Sequence, residues 1–159
     1  METQLGIVIL CLLFLFTRLG DCSENSGEVA DIKQRAGQFK VAITDTGNIC
    51  NLTYIGPLQK GAVPLLPSPP CRFVLDWQGQ VKTYRYEDLG PGIVAVVIGT
   101  PIQDKEGAYK ALAQRNDCGA QIQGVVFRSD GVYPLPEVYD AVRCADNGVD
   151  EKEFWSLTH

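Results

Sequence analysis

Apolar and polar positions alternate in three stretches of this chain and merge into one unbroken apolar run in a fourth. Residues 39–43 are apolar at every second position, which suits a strand with one buried face. Asp45-Thr46-Gly47-Asn48 is turn chemistry, and residues 49–55 read as the returning strand of a hairpin. Residues 71–77 alternate again, with Phe73, Leu75 and Trp77 on one face. Gln78-Gly79 turns the chain, and residues 81–86 return with Tyr84 and Tyr86 together on one side. Residues 93–98 show no alternation, as expected of a strand covered on both faces.

Tyr109, Leu112 and Ala113 have helical spacing, so residues 105–115 predict a helix, with Asp104 placed to cap its first turn. Residues 121–127 predict another strand, in which Gly124 allows a bulge or a close approach. Strand, helix and strand at this spacing predict a right-handed crossover with two parallel strands. Residues 137–143 suit one or two helical turns. Residues 56–70 carry Pro57, Pro64, Pro67, Pro69 and Pro70, and each lacks a backbone donor. They predict a stiff surface connector, although Pro-Leu-Leu-Pro-Ser-Pro-Pro also has the composition of a polyproline ligand. Residues 23–37 read as a flexible polar lead, 38–145 as a single domain and 146–159 as a polar tail. The expected class is α+β: a mixed, sandwich-like sheet with one crossover helix and short peripheral helices, stabilised by disulfides.

Residues 5–16 are almost continuously apolar, yet fall short of the roughly 20 residues that a membrane span needs. They match the apolar core of a signal peptide, read here as residues 1–22. Glu2 precedes the run and no Lys or Arg does, so a short anchor is the competing reading. Removal of the leader takes Cys11 away, and cleavage after Cys22 leaves an even set, Cys50, Cys71, Cys118 and Cys144, whereas cleavage after Gly20 would keep Cys22 as an odd thiol. In an oxidising compartment that set predicts two disulfides with three possible pairings. Cys50–Cys71 with Cys118–Cys144 closes the short loops. Metal is disfavoured, because no C-x-x-C is present and the one histidine is His159. Asn51-Leu52-Thr53 is an N-glycan sequon, with an unoccupied or buried sequon as the plain alternative.

A formal net charge of -5 argues against a nucleic-acid partner. GIVAVVIGTPIQD, residues 92–104, looks at first like a strand with a phosphate loop. The Gly-rich Lys-Ser/Thr signature is absent, however, and Asp104 and Glu106 would repel phosphate at the following turn. A histidine-dependent triad needs its imidazole held in the fold, and His159 is the last residue of the sequence, where fraying is expected. Asp76 and Asp88 are conceivable as a carboxylate pair, though solvated surface is the simpler role. Neither catalysis nor a cofactor is expected.

The order of these segments resembles the interleukin-like EMT inducer family, which includes the PANDER-like secreted cytokines. FVLDWQGQVKTYRYEDL is similar to that family's strand pair and GIVAVVIGTPIQD to its apolar strand ending in Gly-Thr. AYKALAQRNDCGAQIQGVVFRSDGVY is similar to its helix and following strand. The similarity spans residues 72–133. Ser129 is extra relative to the family's Phe-Arg-Asp, and neither the proline connector nor the cysteines match clearly. The resemblance implies a compact sandwich-like domain in a secreted signalling protein, with Thr100, Asp104, Arg128 and Asp130 at motif positions. These four could form a polar pocket, or simply fix loops with Arg128 paired to Asp104 or Asp130. The leading expectation is a secreted, non-catalytic, cytokine-like protein that recognises an extracellular receptor. A carbohydrate-binding module using Trp77, Tyr84 and Tyr86 is the alternative. A matrix or inhibitor protein using a rigidly projecting proline loop is the third. No stable membrane insertion is expected.

Overall fold

The computed structural model describes residues 28–34, 37–104, 106–146 and 149–159. The expected leader at 1–22, with Cys11 and Cys22, lies outside them. No helix among the described residues is long and apolar enough to cross a membrane.

The chain is mostly β-sheet. The first sheet holds β1 (Glu28–Gln34), β2 (Gly37–Thr46), β3 (Ile49–Ile55) and β4 (Lys60–Pro64) in that order, all antiparallel. The hairpin expected around residues 45–48 is the β2–β3 pair. Two expectations are corrected here. The polar lead contributes a strand, because Ile32 faces inward opposite Phe39 and buries there. The proline connector contributes β4, an edge strand bracketed by Pro57 and Pro64, where missing donors cost little.

The second sheet holds β5 (Arg72–Phe73), β6 (Thr83–Tyr84), β7 (Ile93–Gly99), β8 (Cys118–Arg128) and β9 (Gly131–Cys144). Both β5 and β6 run antiparallel to β7 along one edge, and residues 74–82 leave that edge as a loop. The anticipated long hairpin is thus a broken edge strand with an excursion, closed by a single Leu75–Val81 bridge.

The crossover is also corrected. β7 and β8 pair antiparallel, with Gly99 opposite Gln121, so every strand pairing among the described residues is antiparallel. The expected helix shrinks to one turn, α1 (Lys110–Ala113), because Asp104 caps an earlier turn at Gly107 instead (N···Oδ1 2.6 Å). A crossover helix would have to bury a face on the sheet, and that face is already taken. α2 (Glu151–Thr158) covers it with Phe154 and Leu157. The supposed polar tail is this helix, started by a capping box between Asp150 and Glu153. Residues 137–143 are strand rather than helix, since β9 runs through Pro134 and Pro136 as an edge. Its register jumps by two residues between Gln123 and Val125, where Leu135 closes over Gly124. A Cβ on Gly124 would stand 2.6 Å from Leu135 Cδ1, so a larger residue there would have to push the Leu135 side chain aside.

Two cores result. Ile93, Ala95, Val97, Val125 and Phe127 pack against Ile32, Phe39, Val41 and Leu52 of the first sheet, with Phe39 and Phe127 edge-to-face at 5.4 Å. Val94, Val96, Ile98, Ile122 and Val126 pack the other way, against Phe154, Leu157 and Val149. The expectation that residues 93–98 are covered on both faces therefore holds, without a parallel sheet. Disulfides join Cys50 to Cys71 and Cys118 to Cys144, the pairing that closes the short loops. Gln123 is the one buried polar side chain among the described residues. It accepts from Leu66 N (2.9 Å) and donates to Leu135 O (2.7 Å), tying the proline segment to β9. Leu65 and Pro67 are buried, so that segment lies down against the sheet end and does not project.

Candidate functional site at the loop of residues 74–82

The loop that interrupts the β5–β6 edge is held from within. Lys82 N donates to Val74 O (2.9 Å) and Leu75 N to Ala145 O (2.7 Å) at its base. At its tip, Asp76 Oδ1 accepts from Gln78 N (2.8 Å) and Gln80 N (2.9 Å), while Gly79 N donates to Asp76 O (3.0 Å). Gly79 has φ +74°, a conformation that glycine adopts without a Cβ penalty. The Asp-Trp-Gln-Gly sequence thus encodes a fixed turn, and the turn holds Trp77 out with 90% of its surface in solvent.

Three clefts surround this loop. One of about 460 Å³ lies between Trp77, Leu75 and Lys82 on one side and Asp146, Val149 and Glu153 on the other. A second, of about 310 Å³, separates residues 80–84 from Asp31 and Lys33 of β1. A third, of about 330 Å³ and mostly apolar, runs from Leu75 to Arg72, Asn116 and Ala145. The charged groups on the walls are held in place. Lys82 Nζ donates to Val149 O (2.8 Å), Arg115 bridges Asp117 and Asp146, and Arg143 pairs with Glu153. The Arg115 guanidinium holds the Asp117 carboxyl below the usual range.

The other two predicted aromatics do not join Trp77. Tyr84 packs edge-to-face on Phe154 (4.8 Å) beneath α2. Tyr86 stacks beside Tyr84 and donates its hydroxyl to Glu151 O (3.1 Å). Both rings serve the second core, so the three-aromatic platform is corrected to one exposed indole.

The four motif positions are also not brought together. Thr100 and Asp104 follow the last residue of β7, whereas Arg128 ends β8 and Asp130 follows it, roughly 24 Å along the sheet. Thr100 has φ +62°, unusual for a β-branched residue, and is clamped by its bonds. Its N–H reaches Ser68 O (2.6 Å), its carbonyl accepts from Ala120 N (2.7 Å), and its hydroxyl accepts from Ser68 N (3.0 Å) and donates to Gln121 Oε1 (2.6 Å). Arg128 pairs with neither aspartate. Its guanidinium donates to Leu89 O (3.3 Å) and lies over the Tyr133 ring (5.5 Å). Asp130 holds Gln59 through its backbone carbonyl. All four fix loops.

His159 is not frayed. Its ring stacks on Trp155 at 4.3 Å, meets Tyr86 edge-on, and bonds Asp88 through Nε2. Nδ1 lies 2.9 Å from Trp155 O and from Thr158 Oγ1. The order Thr158, His159, Asp88 looks like a nucleophile triad, but the protons say otherwise. Trp155 O and Asp88 both accept, and the bond to Trp155 O with that to Asp88 raises the ring's pKa, which favours the imidazolium form. An imidazolium has no lone pair with which to activate Thr158. Asp88 is thereby engaged by His159 and Asp76 by its own turn, so they are not a carboxylate pair. No cluster of three metal-ligating side chains occurs among the described residues.

Sequence reasoning overlooked Lys82, Asp146, Asp150 and Glu153. Asp150-x-x-Glu153 was the available signal, a capping box that starts a helix. No family model, curated protein or solved structure matches the chain.

Proposed function

We propose that the chain is a secreted, non-catalytic protein that recognises an extracellular protein partner through the loop of residues 74–82. We read its two sheets, which share one core, as a sandwich, the arrangement that the resemblance to interleukin-like EMT inducers implies. The carrying observation is Trp77, exposed on a turn whose backbone is already fixed and ringed by clefts. Tryptophan is among the commonest anchors of protein interfaces, and a pre-ordered anchor loses little entropy on docking. The two disulfides fit an oxidising compartment.

The test is saturable binding of the purified, labelled protein to cultured cells. Trp77→Ala should weaken binding at least ~30-fold, the equivalent of about 2 kcal/mol. Protease treatment of the cells should remove the binding sites. Equal binding by Trp77→Ala would sink the reading.

A sugar ligand is the second reading. It is favoured by the indole standing beside a cleft walled by Asp146, Glu153 and Lys82, which pairs a stacking face with hydrogen-bonding groups. It ranks second because only one aromatic faces outward there. A glycan array with Trp77→Ala as control separates the two.

A further inference from the structure

The second sheet is covered on both faces, but among the described residues no element covers the outer face of the first. Its side chains follow from the register. Thr44, Asn51 and Pro64 form one row, and Ala42, Thr53 and Ala62 the next, with Val29 beside Ala42. The centre is flat because those residues are small. Exposed aliphatics stand at its margins: Val29 (75%), Ile49 (51%) and Ile55 (60%). Cys50 and Leu52, on either side of Asn51, are fully buried, so alternation turns the Asn51 side chain away from the core and onto this face.

We propose that Asn51 carries an N-linked glycan and that this glycan, not a protein partner, covers the outer face of the first sheet. The sequon Asn51-Leu52-Thr53 supplies the acceptor amide and the hydroxyl that recognition requires. In the transfer, the Nδ2–C1 bond forms while the sugar–phosphate bond of a lipid-diphosphate oligosaccharide donor breaks. The amide proton is lost, and the lipid diphosphate leaves. The folded strand is a poor acceptor, since β3 is paired on both sides and Asn51 Nδ2 donates to Thr46 Oγ1 (2.5 Å). Transfer therefore precedes sheet closure and the Cys50–Cys71 bond. Afterwards the attached sugars lie over a floor of Ala42, Thr44, Thr53 and Ala62, where nothing large obstructs them. The glycan closes this face and leaves the Trp77 loop, on an edge of the other sheet, open.

The experiment expresses the full chain in a secreting eukaryotic cell line. Peptide-N-glycosidase should increase its gel mobility and convert residue 51 from Asn to Asp in the tryptic peptide. Asn51→Gln should abolish the shift, and Thr53→Ser, which keeps the sequon, should retain it. Hydroxyl-radical footprinting then compares the folded protein before and after enzymatic deglycosylation. Oxidation of Ile49 and Ile55 should rise several-fold on deglycosylation, while that of Trp77 stays constant. Because the sugar is removed after folding, this readout survives even if Asn51→Gln fails to fold. An unmodified Asn51 in secreted, disulfide-linked protein overturns the proposal and leaves the Trp77 reading intact. A glycan whose removal leaves Ile49 and Ile55 equally oxidised overturns its covering role.

Discussion

The two sheets carry similar numbers of strands yet live in different surroundings. The second lies between the first sheet and α2, so every residue of β7 is buried. The first has one face on the core and the other in solvent, so β2 and β3 alternate. Burial on two sides makes a strand read as a continuous apolar run whatever its direction, and the run therefore says nothing about parallel or antiparallel pairing. What sets direction here is the connection. The described residues between 100 and 117 form no helix long enough to recross the sheet, and the chain returns alongside β7 from the end at which it left.

The comparison makes its largest prediction for core side chains. Phe127→Ala, on the face between the sheets, and Phe154→Ala, on the face under α2, should each cost about 3–5 kcal/mol in urea unfolding. Ile55→Ala, on the open face, should change stability by less than ~0.5 kcal/mol. If Phe154→Ala proves as mild as Ile55→Ala, then α2 does not cover the second sheet and the contrast fails.

A smaller effect separates two glutamines of β8. Gln123 is itself buried, and its amide satisfies Leu66 N and Leu135 O in part-buried surroundings. Gln123→Leu should cost about 2 kcal/mol by stranding those groups. Gln121 bonds Thr100 and Asp140 nearer the surface. Water can replace it there, so Gln121→Leu should cost less than ~1 kcal/mol. Comparable losses would show that the proline segment is not pinned through Gln123.

Legibility in the sequence followed the same division. The β2–β3 hairpin was readable because alternation, turn residues and one-sided burial agree. β7 was readable as two-sided, but its second cover was not, because Phe154 and Leu157 sit in a segment whose charged residues dominate its composition. The Asp150–Glu153 spacing outweighed that composition. β4 was hidden by prolines, whose placement at an edge is set by a partner strand that sequence alone does not show. At the candidate site, Trp77 was visible as an aromatic but not as an exposed one. In residues 71–77 alternation put it with Phe73 and Leu75, and the bonds Asp76 makes within its own turn broke that alternation. Thr100, Asp104, Arg128 and Asp130 were adjacent as motifs and separated by antiparallel pairing.

The smallest effect concerns the clasp at the end of α2. His159 lies over Trp155 and donates to Trp155 O and to Asp88, which holds the last turn of the helix against the turn at residues 87–89. Its pKa is raised from the ordinary 6.5, chiefly by the bond to Trp155 O, which outweighs the lowering by burial, with the bond to and charge of Asp88 adding to the rise. The facing charge on the neighbouring turn is Asp88, and Glu151 lies beside Tyr86. A raised value means that the folded state binds the proton more tightly than the unfolded chain. The stabilisation is therefore fully present below pH ~6.5 and is lost as pH rises through the folded value. Because the clasp lies at the surface, with the Asp88 side chain more than half exposed, the loss should be small and local. An NMR titration of the imidazole should give a midpoint above that of an unstructured histidine, and Asp88→Asn should lower it. The amides of α2 should exchange faster above the midpoint, whereas those of β7 should not change. A midpoint at or below the ordinary value would mean that the clasp does not form, and α2 would then be held by Phe154, Leu157 and its capping box alone.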